Sequence, residues 1–287
     1  MLATMPRSAL ARFGTIAMVV AFFIYLFAPL VVVAVFAFND SVAPSPPWRG
    51  FTVEWFTGSG PRRVGLFHDT PLLRSLGVSL QVAVCVTVLS VAVGTAASFL
   101  FERFRFPGRN ALYLMMLWPL VIPGVILGIS ILLLSSTAAN GLEDWLSTDL
   151  DFLRPGLPLV VLGQFSFVAT IATLVISARL RKFDASLEEA ALNLGATHLA
   201  AIRTVTLPYL APAMVGAAIV AFLMSFENFN TTLMLVGSDA PLTIAMYGRL
   251  REGSTPVINA VSLVLILASA LLALGALVAS RKGQTAS

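Results

Sequence analysis

GTIAMVVAFFIYLFAPLVVVAVFAF, residues 14–38, runs for 25 residues without a charged side chain. An α-helix rises 1.5 Å per residue, so about 20 apolar residues already span a hydrocarbon core. A secretory leader has a shorter apolar core, roughly 7 to 15 residues, followed by a small-residue cleavage site. The stretch is therefore read as a retained first membrane helix.

Working outward, five more runs have the length of a helical span, at about 76–101, 111–135, 157–178, 211–236 and 258–280. All but one lack charges. A chain crossing lipid must satisfy its own backbone hydrogen bonds, so these runs are expected to be helices. Composition agrees: 58% of the 287 residues are hydrophobic and 11% charged, where a soluble domain carries roughly 25% charged residues. The expected fold class is all-α and integral to the membrane, with residues 1–13 and 281–287 as tails. Pro29, Pro119 and Pro123 fall inside spans and mark kinks. Cys85 is the single cysteine and lies in an apolar run, so no disulfide framework is available. His68 and His198 are the two histidines and lie in different loops, which argues against a histidine metal centre.

Basic residues in short loops set orientation. With both termini cytoplasmic, the inner side holds 11 basic and four acidic residues, the outer side seven basic and nine acidic, and Glu227 lies within a span. The basic balance is thus a topology signal and not a nucleic-acid footprint. The outer loop 39–75 carries Trp48 and Trp55, placed as interfacial aromatics would be.

One inner loop, 179–210, is unlike its surroundings. EEAALNLGATHLAAIRTVTLP, residues 188–208, carries two adjacent carboxylates, a glycine, a histidine, an arginine and a closing proline. Ser186 stands three residues before Glu189, the capping-box spacing. Leu187, Ala190, Ala191 and Leu194 make one small apolar face. Gly195 interrupts the helix, a second short helix carries Leu199 and Ile202, and Pro208 marks the break before span five. Such an elbow, with small residues on one side, is shaped to enter a groove on another protein. An amphipathic connector resting on lipid, with Glu189 serving only as a cap, is the other reading of the same pattern.

SFENFN, residues 225–230, places Glu227 inside span five beside Asn228 and Asn230. A charge at mid-bilayer costs on the order of 2.5–3.5 kcal/mol even on lenient insertion scales, so an intramembrane carboxylate is a functional-site hypothesis by default. On a continuous helix Glu227 and Asn230 would share one face. The alternative is a structural acid, hydrogen-bonded to a neighbouring helix or kept protonated. Gln81, Gln164 and Ser166 are weaker path candidates and read more simply as interhelical hydrogen-bond partners. Gly124 and Gly128 have the spacing of close helix packing.

Glu189-Ala190-Ala191, three residues, Gly195, nine residues, Val205, one residue and Leu207-Pro208 closely resembles the EAA signature of permease subunits of ABC importers, with Val205 where the signature has isoleucine. PLVIPGVILGISILLL, SFENFN and MYGRLREGSTPVINAVS look like the spermidine/putrescine branch. The resemblance implies a type I importer fold with the elbow as coupling helix, and Glu188, Glu189, Ala190, Ala191, Gly195, Ala196, Val205, Leu207 and Pro208 at the contact with an ATPase. It implies two ATP-binding subunits that carry ATP and Mg²⁺, a second permease subunit and an external substrate-binding protein, in a bacterial inner membrane. Polyamines are cations, so Glu227, Asn228 and Asn230 would line their path. A related importer for an opine, phosphonate or amino-acid-like solute is the alternative.

Two further rivals are a self-sufficient secondary transporter with Glu227 as its ion site, and a membrane scaffold whose elbow recruits a cytosolic protein. No Gly-Lys pair exists in the sequence, so the chain has no P-loop of its own. It is expected to carry no catalytic residues, cofactor or metal. Arg249, Arg251 and Glu252 before span six are candidate contacts for the binding protein.

Overall fold

The computed structural model describes residues 9–44, 46–60, 63–146, 150–253 and 256–285. Its helices in chain order are α1 (Ala9–Phe36), α2 (Glu54–Thr57), α3 (Thr70–Arg103), α4 (Arg109–Val121), α5 (Gly124–Leu146), α6 (Leu157–Leu180), α7 (Ser186–Asn193), α8 (His198–Ala201), α9 (Leu207–Phe226), α10 (Asn230–Leu235), α11 (Leu242–Gly253) and α12 (Val257–Thr285). Among the described residues, six stretches are long and apolar enough to cross a membrane: Ala11–Phe36, Thr70–Arg103, Gly124–Glu143, Leu157–Leu180, His198–Phe226 and Val257–Gly275.

Two spans depart from the sequence expectation. The third, expected at 111–135, breaks at Ile122, whose ψ of 128° is extended, and the crossing segment is α5. Pro123 is the cause: it has no amide hydrogen for the carbonyl of Pro119 and disfavours helical geometry in Ile122 before it. The fifth, expected to continue to 236, stops at Phe226, and the short α10 resumes at Asn230.

The chain divides into two compact units. The larger comprises residues 71–248 and 268–287 and is organised around α6. Leu159, Val160 and Val168 of α6 pack with Val82 and Val86 of α3, Ala221 of α9 and Leu235 of α10. Farther along, Ala172, Ile176 and Leu180 meet Leu210 and Ala217 of α9. Lipid tails are as apolar as leucine, so shape and hydrogen bonds hold these helices together. Gly94 of α3 shows the shape component, since a Cβ there would lie 2.9 Å from Ala172 Cβ and 3.0 Å from Thr173 N. One turn on, the Ser98 hydroxyl sits 2.7 Å from the Gly94 carbonyl and 3.0 Å from the Thr173 carbonyl across the interface. Gly124 and Gly128 of α5 do the same against α10: added Cβ atoms would meet Asn230 Cβ at 3.1 Å and Thr231 O at 3.0 Å.

The smaller unit comprises residues 1–70 and 249–267. Its polar part is pinned by Asn39, whose Oδ1 accepts from Arg49 N (2.8 Å) and whose backbone carbonyl accepts from Trp55 Nε1 (2.8 Å). Trp55 is therefore buried and not an interfacial anchor, whereas Trp48 is exposed. Strands β1 (Ser59–Gly60) and β2 (Arg63–Val64) form a small antiparallel hairpin. Arg249 is a second correction: both its terminal nitrogens grip the buried carboxylate of Asp69 at 2.5 and 2.7 Å, so it is a structural residue. Arg251 and Glu252 are exposed.

Candidate functional site

The elbow forms in the expected place but starts differently. Ala185 occupies the cap position of α7, and Ser186 makes no side-chain cap. Instead the Asp184 carboxylate accepts from Ser186 N at 3.0 Å. That backbone bond, followed by one from the Ser186 hydroxyl, holds the Asp184 carboxyl below the usual carboxylate range. Gly195 ends α7 with φ +88°, the left-handed conformation in which glycine is favoured, and its amide donates to Leu192 O at 2.9 Å. Thr197 then caps α8, accepting from Ala200 N at 3.2 Å.

Pro208 breaks nothing. The chain passes from α8 through a π-helical turn, Ile202–Thr206, directly into α9, with Pro208 in its first turn. Leu207 N donates five residues back, to Ile202 O, and the wider turn accommodates a proline that has no amide to give.

The signature residues separate by environment. Glu189, Ala190, Gly195 and Pro208 are exposed, while Ala191, Ala196, Val205 and Leu207 are half-buried. The most prominent apolar side chain is Leu194, 90% exposed, accompanied by exposed Leu187 and Leu199. Glu188 turns the other way. Its carboxylate takes two hydrogen bonds from Arg103 at the end of α3 (3.1 and 3.0 Å) and a third from the Thr206 hydroxyl. Arg103 also lies over the Phe183 ring, and Arg179 lies 4.2 Å from the centroid of the Tyr209 ring. No sequence spacing announces the Arg103 contact, since its partner is 85 residues away.

At the other candidate site, helix α9 ends in Ser225–Phe226, and Glu227 adopts φ −89° and ψ 0°. Glu227 and Asn230 are therefore not neighbours on one helix face, because the helix stops between them. A buried polar chain fixes the break. Gln164 of α6 accepts from the Ser225 hydroxyl and donates through Nε2 to Thr232 Oγ1 at 2.8 Å. Thr232 donates in turn, from its hydroxyl (2.9 Å) and its amide (3.2 Å), to Asn228 Oδ1. The Asn228 carbonyl accepts from Thr243 Oγ1 at 3.1 Å. Every buried polar group here has a partner, as a low-dielectric interior requires. Gln164 is the expected interhelical partner, whereas Ser166 donates to its own helix at Gly163 O, 2.7 Å away. Gln81 borders an apolar groove with Cys85, Leu89 and Leu162.

This network leaves Glu227 and Asn230 exposed, and Asn228 half-buried. Both helix breaks line one cavity of about 210 Å³: Pro119, Ile122 and Gly124 on one side, Met224, Asn228 and Asn230 on the other, with Phe167 of α6 between. Non-helical backbone at membrane depth survives only where protein buries it or a polar cavity receives it. The two discontinuities and the cavity explain one another.

Comparison with known proteins agrees with this geometry. A family model described as the inner membrane component of binding-protein-dependent transport systems matches residues 90–283. The putrescine transport system permease protein PotI of Escherichia coli (strain K12) is 31% identical over 246 residues, which cover 85% of this chain and 82% of that protein. The spermidine/putrescine transport system permease protein PotC of Haemophilus influenzae is 26% identical over 247 residues, covering 85% of this chain and 88% of that one. Among solved structures, a chain of a bacterial ABC transporter that imports the acidic polysaccharide alginate superposes with a TM-score of 0.72 at 19% identity, over 96% of this chain and 95% of that chain. That likeness speaks for the fold alone.

Proposed function

Because the chain belongs to the family of inner membrane components of binding-protein-dependent transport systems, we propose that it is the permease subunit of an ATP-driven importer of polyamines. Its complex would hold a second permease subunit, two ATP-binding subunits carrying ATP and Mg²⁺, and an external substrate-binding protein. The elbow, Ser186–Thr206, docks the ATPase through Leu187, Leu194 and Leu199, with Glu189 at the rim. The basic cluster of Arg103, Arg105, Arg109, Arg179, Arg181 and Lys182 around the elbow supports a cytoplasmic position for it. Closure of the ATPases on ATP draws the elbows together and opens the path outward. Hydrolysis then resets the inward-facing state.

One observation carries the cargo reading. Just past the end of α9, in a stretch (211–236) with no other charged residue, Glu227 presents an exposed carboxylate at a helix break, and no ion pair or hydrogen bond engages that carboxylate among the described residues. An unpartnered carboxylate attracts a passing ammonium group and repels an anion. The cavity beside it offers apolar walls for a methylene chain and amides at Asn228 and Asn230. Fold likeness does not settle cargo, since the alginate importer carries an anion; the carboxylate and the putrescine and spermidine relatives favour a cation. The test is uptake of labelled putrescine and spermidine in cells lacking redundant importers. Deleting the chain should abolish uptake and Glu227→Gln should weaken it about tenfold, the effect of roughly one lost charge contact. Unchanged uptake on deletion would discard polyamines as cargo.

A further inference from the structure

The elbow must do two jobs that its signature does not distinguish: hold the ATPase, and pass that partner's movement to the membrane helices. The side chains of Glu188 and Glu189 are adjacent in sequence and opposite in environment. Glu189 is exposed, whereas the Glu188 side chain is 19% exposed and held by three hydrogen bonds from two residues. We propose that Glu188 is the positioning residue that makes the elbow move as one body with the membrane helices. This assignment rests on the elbow being the ATPase contact.

The geometry favours a strut over a cap. A cap serves the backbone amides of its own helix, but the Glu188 carboxylate reaches none. Its two oxygens face the fork of Arg103 at 3.1 and 3.0 Å, the planar two-point pairing that fixes direction as well as distance. The Thr206 hydroxyl adds a tie to the π-helical turn that leads into α9. One carboxylate thus joins the end of α3, the docking helix α7 and the start of α9. Arg103 is itself held, its guanidinium 5.2 Å from the centroid of the Phe183 ring, and Phe183 packs edge-on against Tyr209 of α9. A push on α7 therefore reaches both membrane helices through side chains that have little freedom to slide. Losing the fork removes the tie from α7 to the end of α3 and leaves α7 held by its packing on the π-helical turn and by the backbone on either side.

The test is made on the assembled transporter, purified on a tagged copy of this chain in a Cys85→Ala background. Spin labels at exposed Asn193 of α7 and at exposed Phe104, just past the end of α3, report the distance between elbow and α3 with and without ATP. With Glu188 intact the distance distribution should be narrow and the same in both states. Glu188→Gln should broaden it while the ATPase still copurifies, and uptake of putrescine per ATP hydrolysed should fall about tenfold, within the span of measured coupling mutations. Exchanging the pair, Arg103→Glu with Glu188→Arg, should narrow the distribution again. A distribution in Glu188→Gln as narrow as in the parent overturns the assignment. So does loss of the ATPase in that variant, which would make Glu188 a docking residue. Failure of the docking reading looks different: Glu189→Lys and Gly195→Asp would then leave the ATPase bound.

Discussion

Helices α1 and α6 look alike in sequence and differ in how much of each is buried. Their most apolar windows have mean hydropathies of 2.8 and 2.2, yet none of the α1 window is buried within the chain, against half of the α6 window. Apolarity says that a helix belongs in lipid; it does not say which face meets protein. What distinguishes α6 is its small and polar residues. Gly163, Gln164, Thr170, Thr173 and Ser177 are all buried. Gly163 allows close approach to Leu235 of α10, and Gln164 and Thr170 supply hydrogen bonds to other helices where no hydrophobic effect binds them. Helix α1 instead offers Phe22, Phe23, Ile24 and Phe27, all at least half exposed, a surface for lipid or for another subunit.

The largest test of this contrast is overpacking. Gly94→Leu drives a side chain into Ala172 and the backbone of Thr173 on α6 and should cost about 3 kcal/mol, seen as a lower unfolding midpoint in detergent. Gly14→Leu in α1 meets nothing within 4 Å and should change stability by less than about 0.5 kcal/mol. Equal effects would erase the distinction. Next comes Gln164→Leu, which removes two interhelical bonds and leaves Ser225 and Thr232 without that partner; about 2 kcal/mol is expected. Its consequence should also be local, with faster hydrogen exchange across residues 225–232.

Smaller effects sharpen the same comparison at the elbow, where water competes. Thr197→Ala should cost about 1 kcal/mol, read as faster exchange of the Ala200 amide. Asp184 supplies a pH dependence. Its folded-state pKa is depressed, so its contribution is present above the unfolded value and fades as pH falls through the folded one. Protection of the first turn of α7 should therefore weaken below the ordinary aspartate range. Asp184→Ala should remove that dependence.

Much of this was legible beforehand, and for physical reasons. Length and hydropathy revealed six crossings, because the bilayer sets a minimum length. The elbow was legible through the fixed spacing of Glu189, Gly195 and Pro208. The two helix breaks were not, since the apolar stretches flanking 122–123 and 227–230 join into runs of the length of a single span. Pro123 signalled a kink, but only packing decides between bending and breaking. At Glu227 the cue was chemical: the residue that looked costly inside a helix lies where the helix has ended. The start of α7 was misread because Ser186–Glu189 fits a capping box equally well, and the competing Asp184 carboxylate, two residues earlier, wins. Contacts such as Arg103–Glu188 and Asp69–Arg249 join residues far apart in sequence, and nothing local encodes them. The inward arginine in particular removes a residue that exposed charge alone would assign to partner binding.

The measurement that bears most directly on the account is copurification of ATPase subunits with a tagged chain carrying Leu194→Glu. Leu194 is 90% exposed, so the substitution leaves the interior untouched. The account predicts that two ATPase subunits accompany the parent chain and are lost from the variant, while the variant remains folded in the membrane. ATPase retained at parental stoichiometry, with transport unimpaired, would contradict the elbow as the place where ATP does its work.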